Sequence, residues 1–303
     1  MSGSIAKILR IQFFLLLCSS YAFGQNLFFG GIPDPNIGVV TSNDFVLFYV
    51  VDEMQDFLSL SIKDKDFNQQ LAKDFYIGKD YIGVNHVVVE KKVYLLLSNR
   101  RSYKILCVVN TQNSDIQFFP ISVNLGTIDR FKIIDNTLLV VQSLEKGDFV
   151  QMYDYRTGIL ISLSELFYPK TRIWDVQVKD GIFDILVHKK GDSRNQSLKM
   201  IGFNPAGSKL YETEILLPNP KKQIFKSGNL ISSLKSGYSI VGTYSRKQGE
   251  QFSGYYHVGI NDFLEQKATI HPMRSLDGFF DYKKNPGLRK NAKNLRRDMV
   301  VYH

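Results

Sequence analysis

Four tight turns recur along this chain, and each stands immediately before the most apolar run in its neighbourhood. Lys91-Lys92 precedes Val93–Leu97, Asp135-Asn136 precedes Thr137–Val141, Asp180-Gly181 precedes Ile182–Val187, and Ser236-Gly237 precedes Tyr238–Val241, at spacings of 44, 45 and 56 residues. Between the polar turns the runs are short and rich in Val, Ile, Leu, Phe and Tyr, with almost no helical period before residue 285. The body is therefore expected to be all-β. A middle run such as Val93–Leu97 is apolar continuously instead of alternating, so both faces of its sheet need a cover.

Each turn also has a strand before it and two after it. The preceding strands are Val84–Val89, Arg130–Ile134, Ile173–Val178 and Phe225–Leu234; the third are Tyr103–Val109, Phe149–Tyr155, Leu198–Asn204 and Tyr255–Ile260. Outer strands follow at Ile116–Val123, Ile159–Leu163, Lys209–Leu217 and Phe263–Ile270. Four strands in about 45 residues resembles a β-propeller blade. The resemblance covers about residues 44–270, has no WD, kelch or PQQ signature, and is similar to exported bacterial propeller proteins of uncharacterised role. It implies four-stranded antiparallel blades stacked radially, about five of them, and it carries over no residue-level function. The first blade reads as one strand short, with only Val46–Val51, Phe57–Ile62 and Leu71–Tyr76, and Met299–Tyr302 could complete it from the carboxyl end. The preferred reading is instead that the chain is the amino-terminal part of a longer propeller.

The two ends have their own character. Lys7 and Arg10 precede the apolar run Ile11–Cys18, and Ala22-Phe23-Gly24 places small residues before a cut ahead of Gln25, which is the pattern of a signal peptide. The apolar run is well short of the ~20 residues that span a bilayer. Acylation at Cys18 is disfavoured because Leu17, not a small residue, precedes it. At the other end Asn285 and Pro286 can open a helix whose Leu288, Ala292, Leu295 and Met299 share a face, with Lys290, Lys293, Arg296 and Arg297 largely elsewhere. The expected organisation is a signal peptide over 1–24, a linker over 25–43, blades over 44–282, and a basic amphipathic helix with a terminal strand over 283–303.

The whole chain carries 38 Lys+Arg against 29 Asp+Glu. Lys7 and Arg10 leave with the signal peptide, and seven more cations lie together in Lys283–Arg297. What remains is 29 basic against 29 acidic residues, so the folded body is neutral and offers no general footprint for nucleic acid. Only Cys107 remains after cleavage, in the strand-like run Lys104–Val109, and it is expected to be a buried, inert thiol.

Motifs for chemistry are sparse. Asp64-Lys65-Asp66-Phe67-Asn68 opens like a calcium loop, but Gln69 stands where the sharp turn needs Gly and Phe75 where the bidentate Glu belongs, so a polar turn is expected. The five His are scattered, and no metal or cofactor is expected. Ser232-Ser233-Leu234-Lys235 has serine acyl-transferase spacing, but on a strand, not on the helix that chemistry needs. On predicted inner strands the least bland side chains are His86, Trp174 and Asp175; they could line a ligand site at the channel mouth, although Trp174 packing between blades and Asp175 capping a turn is the favoured reading. The functional expectation is an exported, periplasmic, cell-surface or secreted, non-enzymatic propeller that binds a protein or small ligand on one face. Lys290, Lys293, Arg296 and Arg297 would supply a further attachment to an acidic partner or a membrane surface. The alternatives are a hydrolase or lyase with a site at the channel mouth, and a small-ligand or glycan sensor.

Overall fold

The structure, a computed structural model, describes residues 37–52, 56–79, 81–99, 103–121, 128–161, 163, 170–190, 196–219, 223–232, 237–246 and 253–273. The predicted signal peptide, the basic segment and Met299–Tyr302 lie outside them. The described chain forms five four-stranded antiparallel sheets of β-propeller type, each a meander in chain order. Blade 1 comprises β1 (Ile37–Thr41), β2 (Phe45–Asp52), β3 (Phe57–Asp64) and β4 (Gln69–Tyr76). Blade 2 comprises β5 (Tyr81–Val89), β6 (Lys92–Asn99), β7 (Lys104–Asn110) and β8 (Ile116–Ile121). Blade 3 follows with β9 (Ile128–Ile134), β10 (Thr137–Leu144), β11 (Gly147–Asp154) and β12 (Ile159–Ile161). Blade 4 has β13 (Thr171–Lys179), β14 (Ile182–Lys189), β15 (Ser197–Phe203) and β16 (Lys209–Ile215). Blade 5 has β17 (Ile224–Ser232), β18 (Tyr238–Ser245), β19 (Gly254–Ile260) and β20 (Gln266–Pro272).

These sheets form two compact units, blades 1 and 2 in residues 1–121 and blades 3 to 5 in residues 122–303. In the first unit Leu47, Leu60 and Ile62 of blade 1 share a core with Leu95, Leu97 and Cys107 of blade 2. Cys107 is fully buried, and burial pushes its thiol up to about 12, which is the inert thiol expected. In the second unit one core joins blade 3 to blade 4 through Leu139, Val141, Ile185 and Phe203. Another joins blade 4 to blade 5 through Leu186, Met200, Ile240 and Tyr256. The first strands lie side by side, with β13 against both β9 and β17.

The stretch read as a linker over 25–43 contains a strand, and the first blade is not short of one. β1 pairs with β2 from Ile37↔Val50 to Thr41↔Val46. Its five residues bury only Val40, so no alternation was there to read. Gly38 is required because the Tyr49 ring lies where a Cβ would stand. The continuous apolar middle strands β6, β10 and β14 are buried on both faces, as expected, whereas β2 alternates buried and half-buried residues along its length.

A second repeat emerges at the far end of each third strand. Asp64, Asn110, Asp154, Asn204 and Asn261 each turn a side-chain oxygen onto backbone N–H groups two to four residues on, which fixes the turn into the outer strand. The segment that opens like a calcium loop is one of these turns. Asp64 Oδ1 accepts from the N–H of Asp66 and of Asn68, each at 2.9 Å, and those bonds hold its carboxyl below the usual range.

Candidate functional site

Consecutive antiparallel strands place alternate connections at opposite ends of a sheet. In blades 3 to 5 one end carries the tight turns, such as 135–136, and the other carries the connections between blades and the hairpins between second and third strands. Scaffolds of this kind usually bind through such longer connections. The polar side chains near that end are the candidates for function.

Trp174 and Asp175 sit together on β13, at a bulge between Ile173 and Asp175 that makes Trp174 the extra residue. The indole stacks on the His188 imidazole, with centroids 4.2 Å apart and planes at 12°. On β17, Gly228 leaves room for it, since a Cβ there would lie 3.0 Å from Trp174 Cε3. The Trp174 carbonyl accepts from Arg130 Nη1 on β9 at 2.7 Å. Asp175 Oδ1 accepts its neighbour's N–H, Val176, at 2.8 Å, while Oδ2 accepts the Leu230 N–H of β17 at 2.8 Å. Trp174 therefore packs between blades, and Asp175 ties blade 4 to blade 5.

His86 belongs to the first unit and is not part of this cluster. Its Nδ1 lies 3.3 Å from the Tyr49 hydroxyl, the rings meet edge to face, and burial holds its pKa below the ordinary value. The candidate partner-binding residues Lys290, Lys293, Arg296 and Arg297 lie outside the described residues.

Four residues that sequence reasoning did not select complete the cluster: Arg130, Asp148, Arg172 and His188. Asp148 is buried at the start of β11. Its Oδ1 accepts from Arg172 Nη1 at 2.7 Å and from Ser143 Oγ at 3.1 Å, and its Oδ2 accepts the Ile173 N–H at 2.7 Å. Arg172 also donates to the carbonyls of Leu144 and Glu145, so it fastens the blade 3 hairpin to blade 4. His188 lies directly across from Arg172 and bonds Gln196 Oε1 through Nε2 at 3.0 Å. Burial lowers its pKa, the Gln196 bond opposes that, and the charge of Lys190 lowers it further. The available signals were weak: an Asp one residue past a Gly in a hairpin, and an Arg ahead of the predicted strand.

A second polar node lies at the tight-turn end. Asp184 of β14 is fully buried and accepts from the Tyr211 hydroxyl of its own blade and, at 2.5 Å, from the Tyr238 hydroxyl of blade 5. Gly202 lies between Asp184 and Tyr211 in the strand register, and its missing Cβ is what lets the Tyr211 ring cross. Lys179 stands over the Tyr238 ring, 4.8 Å from its centroid, and donates to the Gly237 carbonyl. Burial pushes the Asp184 carboxyl up to about 6, opposed by the two phenols and Lys179. A carboxyl raised above its ordinary value contributes stability below that value, and the contribution is lost as pH rises through about 6. Asp184→Asn should remove this slope: between about pH 4 and pH 7 its urea-unfolding free energy should gain on the native protein by up to about 3 kcal/mol. Parallel pH profiles would show that Asp184 is not the titrating group.

Between the outer strands of blades 4 and 5 an open groove of about 450 Å³ is lined by Leu216, Leu217, Pro218, Leu264, Gln266 and Ala268. It contains no titratable group, and the Gln266 amide is spent on Thr213 Oγ1 and the Glu214 carbonyl.

No protein-family model matches the sequence, and no curated protein matches it. Solved structures with a similar course of the chain include the Dos1 propeller, 8% identical with a TM-score of 0.48, over 76% of this chain and 56% of that one. The chain therefore spans little more than half of that structure. The polysaccharide lyase Uly1 is 10% identical, with a TM-score of 0.47 over 83% of this chain and 76% of its own. Kuenenia stuttgartiensis hydrazine synthase is 12% identical, with a TM-score of 0.43 over 84% and 70%.

Proposed function

We propose that this chain is an exported, non-enzymatic binding module that engages its partner through the connection end of blades 3 to 5. One observation carries the reading: the side chains best suited to chemistry at this end are already engaged with other groups of the protein. Both oxygens of Asp148 and both of Asp175 accept hydrogen bonds, and His188 lies between Trp174 and Gln196. Among the described residues, exposed Lys146, Lys170, Arg172, Lys189 and Lys190 face solvent there beside Glu145, a surface suited to recognition. The hydrolase or lyase alternative finds its best candidate in Asp184, whose raised pKa suits a general acid, but that carboxyl has no exposed surface and lies behind two phenols.

The test is incubation of the mature protein with immobilised glycans and peptides, followed by analysis of both the bound fraction and the ligand. Saturable binding with every ligand recovered intact is expected. Cleavage that continues over many turnovers, and that Asp184→Asn abolishes, would replace this reading with the enzyme.

A further inference from the structure

At the connection end of blades 3 and 4 three lysines are brought together by their own main chains. The Lys170 N–H donates to the Lys146 carbonyl at 2.8 Å, and the Lys190 N–H donates to the Lys170 carbonyl at 3.0 Å. Lys146 comes from the hairpin between β10 and β11, Lys170 leads into β13, and Lys190 follows β14. Chain segments paired in this way lie ~5 Å apart, so the three lysines form a row. Arg172 and Lys189 flank it, and all five residues are exposed.

The opposing charge is small. Asp148 is neutralised by Arg172, and Glu145 is the other acid in these described segments. Residues 144–148, 170–172 and 188–190 thus hold five cations against two acids, on a body whose charges cancel overall. Burial is the main cause that lowers the pKa of His188, and the charge of Lys190 adds to it in the same direction. Among the described residues, none of the large exposed apolar side chains lies on 144–148, 170–172 or 188–190.

The geometry points to this row as a binding site for a linear acidic polysaccharide, with Lys146, Lys170 and Lys190 each pairing with a carboxylate or sulfate along the polymer. The proposal rests on the binding-module reading above and adds its partner. A row one strand apart matches anions repeated about once per sugar ring. A single-stranded nucleic acid is the poorer fit, because its binders add aromatic platforms for the bases, and among the described residues 144–148, 170–172 and 188–190 carry no Phe, Tyr or Trp. A lipid surface is poorer still, since among the described residues of the row no large apolar side chain is exposed.

The test compares the native protein with the triple variant Lys146→Gln/Lys170→Gln/Lys190→Gln, and with Lys91→Gln/Lys92→Gln as a control on blade 2. Probes are an oligogalacturonate, its methyl-esterified neutral form, a mixed-sequence single-stranded oligonucleotide, and phosphatidylserine vesicles. The native protein should bind oligogalacturonate and not the neutral form, and should bind it more weakly as salt rises from ~0.01 M to ~0.15 M, where screening shortens from ~30 to ~8 Å. The triple variant should bind roughly tenfold more weakly or worse, with an unchanged melting temperature, while the control binds as native. Equal binding by native and triple variant would overturn the site while leaving the binding module standing. Tighter binding of the oligonucleotide or the vesicles than of oligogalacturonate at matched salt would overturn the polysaccharide. Progressive cleavage of oligogalacturonate by the native protein, with the row still required, would uphold the site and refute the non-enzymatic reading.

Discussion

Asp148→Ala is expected to destabilise the protein by about 3 kcal/mol, and Asp148→Asn by roughly half as much. Alanine leaves the Ile173 N–H buried without its acceptor and leaves Arg172 with only the carbonyls of Leu144 and Glu145. Loss of one partner from a buried pair costs up to about 5 kcal/mol, but the Arg172 side chain is 44% exposed and can hydrate, so the lower part of the range applies. Asparagine keeps an oxygen for the Ile173 N–H but loses the charge and the acceptor that Arg172 uses. Urea unfolding followed by near-ultraviolet circular dichroism measures both. A change under about 1 kcal/mol for the alanine variant would mean that this clamp does not hold blade 3 to blade 4.

Gly242→Ala should have an effect at least as large, about 3–5 kcal/mol, through an unrelated cause. Gly228, Gly242 and Tyr256 are successive partners across β17, β18 and β19, and the Tyr256 side chain lies over both glycines to reach the Ser227 carbonyl at 2.8 Å. A Cβ at 242 would run into the Ser227 carbonyl oxygen and lie 2.6 Å from Tyr256 Oη. Backbone cannot step aside as a side-chain tip can, so β17 and β18 would have to part. Gly259→Ala is the matched control in the same sheet, because its Cβ would meet nothing nearer than His257 Cε1 at 3.9 Å. That variant should be neutral or more stable by up to about 1 kcal/mol. Similar melting temperatures for the two variants would remove the steric argument.

The parts of the fold that could be read from the sequence are those whose surroundings force a simple pattern. β6, β10 and β14 are covered on both faces, so they are apolar without interruption, and the turns ahead of them recur at a visible period. β1 has no such constraint, and its IGVVT is too short and too exposed to stand out. The Asp or Asn ending each third strand was present at 64, 110, 154, 204 and 261, but it becomes a signal only once strand ends are known. The candidate site divides similarly. Rarity singled out Trp174, and its packing between blades was the favoured expectation. Asp148 and Arg172 were invisible because a hairpin acid normally faces water, and only the next blade, 25 residues on at Ile173, turns it inward.

Three carboxylate clamps between blades 3, 4 and 5 share a direction along the chain. Asp148 precedes Arg172 and Ile173, Asp175 precedes Leu230, and Asp184 precedes Tyr238; in each case the acid is on the earlier blade and its partner on the later one. Such a chain emerges amino end first, whether from a ribosome or through a translocation channel, and each blade is a meander of consecutive strands that can zip up before the next arrives. The leading face of the newest blade then carries an ionised, hydrated carboxylate among its apolar residues until the following strands reach it. A charge so placed discourages an apolar surface of another chain from packing there, and the blade that belongs there brings the N–H, guanidinium or hydroxyl that satisfies it. The acids that lock the finished protein thus sit on the blade that is made first, and the groups that satisfy them arrive with the next.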